Sequence, residues 1–129
     1  MLQCIVVTPE RTLSDQSADF VSLTLFDGEI GIGAGHTPMI GRLGYGEMRV
    51  QSEGRTDRYY VEGGFVEVLN DVVSVLTHRA IPVKEIDAAV VREQLYTAQS
   101  RTATSPEAME IRDRAVQQSR AQLRLAERG

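Results

Sequence analysis

From Leu2 to Val83 apolar and polar residues alternate with a period of two, as in Val21-Ser22-Leu23-Thr24-Leu25 and Tyr60-Val61-Glu62. Gly, Asn or Asp breaks the alternation roughly every eight to twelve residues, and a strand turns successive side chains to opposite faces, so the pattern predicts half-buried strands joined by tight turns. The expected strands cover residues 3–7, 11–14, 20–25, 28–32, 39–43, 47–51, 55–62, 64–69 and 72–76. So many short strands do not make one flat sheet, which points to a sandwich or flattened barrel.

After Val83 the texture changes. No glycine follows until Gly129, and Ala, Glu, Gln, Arg and Leu dominate, all good helix formers apart from the glycine. Asp87 can cap a first helix running to about Ser100, and residues 101–105 read as a loop. Ser105 then caps a second helix, with Pro106 at its first position, where a missing N–H costs nothing. The expected fold is therefore α+β: an N-terminal all-β sandwich over residues 1–83, then a C-terminal antiparallel hairpin of two helices over 84–129.

The helical faces are thin. The first offers Ala88, Val91, Leu95 and Ala98; the second offers Met109, Val116 and Leu123, seven apart and interrupted by Gln118, Ser119 and Arg120. Burying one Val or Leu is worth ~1.5 to 3 kcal/mol before ordering costs, so docking of the hairpin is expected to be weak enough for it to come loose.

At 129 residues the chain suits one domain plus an appendage. No apolar run approaches the ~20 residues needed to cross a bilayer. The start, Met1-Leu2-Gln3-Cys4-Ile5, lacks the basic opening and long apolar stretch of a signal peptide, and Cys4 has no second cysteine, so the cytoplasm is the expected compartment. A net charge of -4 and an aromatic content of 5% argue against a nucleic-acid partner, which calls for cationic phosphate contacts or stacking platforms. Charge divides with the fold: residues 1–83 hold 6 Arg and no Lys against 11 Asp and Glu, whereas residues 84–129 hold 8 basic against 7 acidic. Arg112, Arg114, Arg120, Arg124 and Arg128 gather on the second helix, either as a solvated face with internal pairing or as a surface for an acidic partner.

The chemistry-bearing stretch is Asp27-Gly28-Glu29-Ile30-Gly31-Ile32-Gly33-Ala34-Gly35-His36-Thr37-Pro38-Met39-Ile40-Gly41. A dinucleotide fingerprint would need glycine where His36 stands, and no Gly-Lys-Ser or Gly-Lys-Thr marks a phosphate loop. His36 and His78 are far apart and Cys4 is alone, which is not metal-ligand spacing. No nucleophile elbow accompanies Asp27, Glu29 and His36. A histidine bonded to backbone at a loop edge, with Gly31, Gly33 and Gly35 as turn or bulge positions, accounts for the stretch without chemistry. A small sandwich enzyme using His36 with Glu29 or Asp27, or a ligand-binding sandwich with a dimerising tail, remain the competing readings.

Several segments, in this order, resemble the epsilon subunit family of bacterial F-type ATP synthases: Val7-Thr8-Pro9-Glu10, Ala18-Asp19-Phe20-Val21-Ser22-Leu23, Gly28-Glu29-Ile30-Gly31-Ile32, Gly35-His36-Thr37-Pro38, Gly46-Glu47-Met48-Arg49-Val50, Gly63-Gly64-Phe65-Val66-Glu67-Val68 and Arg120-Ala121-Gln122-Leu123-Arg124. The resemblance implies a sandwich of about ten strands and two regulatory helices in a non-catalytic central-stalk subunit, peripheral to the cytoplasmic face of the plasma membrane. It implies that the sandwich binds the gamma subunit and the c-ring, coupling proton flow to rotation. The helices would permit turnover when folded and inhibit ATP hydrolysis when extended along gamma toward the alpha and beta subunits. Glu29 matches a turn position directed at the c-ring loops, and His36 matches a position facing gamma. Arg112, Arg114, Arg120 and Arg124 would approach an acidic segment of beta. Extended, ~43 helical residues span roughly 65 Å at 1.5 Å each.

Two departures stand out. Ala34 takes the place where the family often has proline, which should loosen that turn. Of the family's regulatory ATP motif Ile86 and Asp87 match, but Val90 stands at the arginine position and Val91 at the alanine, and Arg92 lies about 200° around the helix from Val90. No cofactor or metal is therefore expected.

Overall fold

The computed structural model describes residues 1–128, the side chain of Arg128 excepted. Among them the alternating half of the chain forms nine strands: β1 (Leu2–Val7), β2 (Thr12–Ala18), β3 (Phe20–Leu25), β4 (Gly28–Gly33), β5 (Met39–Ser52), β6 (Arg55–Glu62), β7 (Phe65–Leu69), β8 (Val72–Leu76) and β9 (Ala80–Pro82). They pair in two layers. One runs β2-β1-β8-β7 and ends on the first residues of β5; the other runs β4-β3, continues through the rest of β5, and finishes with β6 and β9.

The 14 residues of β5 thus belong to both layers. Residues 39–42 pair with β7, whereas residues 45–52 pair with β6 and residues 48–51 with β3. Two separate strands, 39–43 and 47–51, were the expectation, because Gly44 and Gly46 read as turn signals. In the structure they serve close approach instead. A Cβ on Gly44 would lie 3.0 Å from the Leu25 carbonyl oxygen, and one on Gly46 2.6 Å from Thr24 Oγ1, so only glycine lets β5 pass β3 as it changes layer. The expectation of about ten strands is met by nine, with β5 counting in each layer. The expected strands also omit β9, three residues too short to show a period, whose Pro82 suits an edge position.

The core lies between the layers. Leu2, Cys4 and Val6 of β1 alternate with half-buried neighbours, and Val21, Leu23, Ile32, Leu43, Met48, Val50, Val66, Val68, Val73 and Val75 close on them. Burial, with the Asp15 carboxylate as a smaller cause, pushes the Cys4 thiol up to about 11. The β5–β6 and β7–β8 hairpins turn on Glu53-Gly54 and Asn70-Asp71, all four with positive φ. Such turns match the right-handed twist of the strands they join.

A second compact unit begins at Val83. After a single 3-10 turn (Val83–Glu85) come α1 (Ala88–Ser100) and α2 (Pro106–Arg128). Asp87 caps α1, accepting from the amides of Ala89 at 3.0 Å and Val90 at 3.4 Å. Ser105 Oγ accepts from the Ala108 amide at 3.1 Å, with Pro106 opening α2. Val91 and Ala98 of the expected α1 stripe are buried, and Ala88 and Leu95 are half-buried. On α2 the expected stripe is covered only in part, with Val116 and Leu123 half-buried. Met109 is 45% exposed, while Ser119, Ala121, Gln122 and Leu125 are buried. Apart from Leu125 these buried residues are small or polar, and a search for apolar spacing passes over them.

Candidate functional site

The stretch from Asp27 to Gly41 spreads along one edge of the sandwich. Leu25 pairs with Gly28, leaving Phe26 and Asp27 as the tip of the β3–β4 hairpin. Phe26 is 71% exposed, and the Arg42 guanidinium sits 4.9 Å from its ring centroid, a cation–π distance. Glu29 follows, exposed and opposite Thr24, on an edge strand. Further along β4, Phe20 lies against Gly31, where a Cβ would meet the ring at 2.6 Å. Gly31 is therefore kept small by a neighbouring aromatic ring and not by a turn.

His36 lies in the loop that leaves the far end of β4. Its amide donates to the Gly33 carbonyl at 3.3 Å, and its ring Nδ1 is 2.8 Å from the Thr37 carbonyl oxygen. Glu29 and Gly33 are four strand residues apart, about 13 Å at 3.3 Å per residue. Direct proton transfer needs contact at about 2.6–3.2 Å, so Glu29 and His36 do not form an acid–base pair, and Asp27 lies beyond Glu29. The structure separates these side chains instead of gathering them. Among the described residues no group of three or more His, Cys, Asp and Glu is placed to hold a metal ion.

The four arginines of α2 whose side chains are described fall into two kinds. Arg114 pairs with Glu110 at 3.2 Å, one helical turn away, and Arg112 with Asp113 at 3.4 Å. Arg120 and Arg124 are exposed and form no ion pair among the described residues. At 100° per residue these two lie within about 40° of each other, whereas Arg112 and Arg114 are about 160° apart. Among the arginines with described side chains, only Arg120 and Arg124 make a shared cationic face. On α1, the Asp87 carboxylate is engaged at the helix start, Val90 is 47% exposed, and Arg92 reaches Glu127 at 3.3 Å.

Two contributors were outside the reach of sequence reasoning. Arg42 lies 16 positions from Phe26, and Asp71, whose carboxylate contacts the Gly35 amide, lies 36 positions from it. The Asn70-Asp71 turn itself was visible as a break in the alternation. Its long-range contact had no local signal.

With this geometry in place, known proteins provide a comparison. A family model described as "ATP synthase, Delta/Epsilon chain, beta-sandwich domain" matches residues 1–83. The ATP synthase epsilon chain of Rhodopirellula baltica is 50% identical over 123 residues, covering 95% of this chain and 96% of that one. The sodium ion specific ATP synthase epsilon chain of Propionigenium modestum is 31% identical over 124 residues, covering 95% and 90%. Among solved structures, a chain of the Euglena gracilis mitochondrial ATP synthase, OSCP/F1/c-ring in rotational state 1, aligns with a TM-score of 0.76 and 25% identity over 98% of this chain and 77% of its own. A chain of the Tetrahymena thermophila mitochondrial ATP synthase central stalk/c-ring aligns at 0.74 and 11% identity over 97% and 96%, a likeness of fold.

Proposed function

The chain belongs to the ATP synthase delta/epsilon family, and from that premise we propose that it is a non-catalytic subunit of the central stalk, coupling proton flow through a c-ring to rotation and restraining ATP hydrolysis. The observation that carries this reading is the end-to-end likeness to an epsilon chain, 50% identical over 95% of the residues, which takes in the helices as well as the sandwich. The comparison supplies the assembly; the geometry suggests how the surface is divided within it.

Glu29 and His36 sit at opposite ends of β4, an arrangement suited to two partners. The exposed Glu29 carboxylate, beside the Phe26 tip, addresses the polar loops of the c-ring. The His36 loop addresses gamma. On α2, Arg120 and Arg124 offer charge-assisted hydrogen bonds to an acidic segment of beta, whereas Arg112 and Arg114 would first exchange their contacts with Asp113 and Glu110. The helical unit then has two states, a folded hairpin and an extended form reaching alpha and beta, and differential contacts set their ratio. Bound nucleotide has no part in this reading, since Val90 and Val91 stand where the family's regulatory ATP motif has arginine and alanine. No described helix is long and apolar enough to cross a membrane, and the subunit is read as peripheral, on the cytoplasmic face.

Affinity-tagging the chain, extracting membranes in mild detergent and identifying what co-purifies by mass spectrometry tests the assignment. Gamma, alpha, beta and the c-ring are the expected companions. Recovery of none of them from a preparation whose ATP synthase is otherwise intact would overturn it.

A further inference from the structure

The segment Gly33-Ala34-Gly35-His36 is a β-turn closed by the His36 amide on the Gly33 carbonyl. Its third residue, Gly35, has φ +79, and Ala34 has no positive φ, which is the signature of a type II turn. Proline is favoured at the second position of that turn because it fixes φ. This chain has Ala34 there, and the expected loosening is offset by a different restraint. The Gly35 amide donates to Asp71 Oδ1 at 2.8 Å. Asp71 is itself fixed, with φ 62 in the β7–β8 turn and a carbonyl that accepts from the Gln3 amide at 2.9 Å.

Inside this pinned loop His36 Nδ1 stands 2.8 Å from the Thr37 carbonyl oxygen. A carbonyl oxygen only accepts, so the contact is attractive only with the ring proton on Nδ1; otherwise two lone pairs would face each other. In the neutral ring the other nitrogen, Nε2, is then a bare acceptor. This reverses the preference of free histidine, and it sets the chemistry that a partner must supply.

We infer that His36 reads its partner as a hydrogen-bond acceptor through Nε2, that the group opposite it is an N–H or O–H donor of the gamma subunit, and that Asp71 is the positioning residue holding the loop for this contact. The inference rests on the reading that this loop faces gamma.

Two measurements on the full chain test it separately. In 15N NMR of the imidazole at a pH where the ring is neutral, Nδ1 is expected to carry the proton; a proton on Nε2 overturns the acceptor assignment even if His36 variants bind gamma poorly. Asp71→Ala should erase the tautomer preference, whereas Asp71→Asn, whose Oδ1 can still accept from Gly35, should restore it. An unchanged tautomer in Asp71→Ala overturns the positioning role. Binding to purified gamma comes second. His36→Gln, which carries an acceptor at similar reach, should stay within about threefold of the parent, while His36→Lys, which only donates, should lose about tenfold. Lysine binding as well as glutamine overturns the donor assignment to gamma. Parental affinity in both variants, with the Nδ1 proton in place, would refute the gamma-facing reading itself while leaving the turn and its tautomer standing.

Discussion

Glycine answers different physical demands at neighbouring positions. Gly35 is required for its backbone, Gly31 because the Phe20 ring occupies the space of its Cβ, and Gly64 on both counts, with φ +101 and the Leu76 carbonyl oxygen 1.9 Å from where a Cβ would stand. A flexible ring can swing aside and a sheet backbone cannot. Gly31→Ala is therefore expected to cost about 1 kcal/mol in urea denaturation of the full chain, and Gly64→Ala at least ~3 kcal/mol or failure to fold. The sequence revealed that this segment is tightly turned, but reading Gly31 as a turn or bulge missed Phe20, which comes close only once β3 and β4 pair. Cys4 gives a residue-scale prediction in pH. Its thiol, raised from 9.0 to about 11 chiefly by burial, favours the folded state only while it stays neutral. That contribution is complete below pH 9.0 and is lost as pH rises toward about 11, a fall on the order of 2 to 3 kcal/mol. Denaturation midpoints of the parent and Cys4→Ala, followed from pH 8 to 11, should converge.

At the scale of elements, local chemistry was legible wherever the cause was local. Asp87 and Ser105 were readable as caps because the bonds they make fall within three residues. Asp87→Ala should accordingly cost about 1 kcal/mol of α1 stability, seen as faster hydrogen exchange at the amides of Ala89 and Val90. Strand β4 was readable from alternation almost to its ends. β5 was not, since Gly44 and Gly46 carry a turn signature but exist to clear Leu25 and Thr24, which only the assembled sheet brings near. The α2 positions covered at Ser119, Ala121 and Gln122 escaped for a different reason: small and polar side chains leave no mark in an apolar spacing, even where the fold buries them.

For the whole molecule, charge and periodicity both marked the division into two units, and the arginine-rich second helix was visible as such. Which arginines are available was legible too, since Glu110 lies four positions from Arg114 and Asp113 next to Arg112, but the helix was read as one cluster and not pair by pair. In the assembled enzyme, Arg120→Ala with Arg124→Ala is expected to raise ATP hydrolysis several-fold, while Arg112→Ala should change it less; an unchanged rate in the double variant would refute the contact with beta. Truncation after Val83 should release hydrolysis at least as far while leaving the sandwich to co-purify with gamma.

The strand shared by both layers has a mechanical meaning. Where two sheets meet only through side chains, a shearing load is resisted by dispersion contacts that are individually worth ~0.1–0.2 kcal/mol and can slip past one another. Here residues 39–42 are bonded into one layer and residues 45–52 into the other, so the same load pulls lengthwise on a covalent backbone. A load entering through one sheet is carried into the other in tension, as by a tie rod, which stiffens the sandwich against shear.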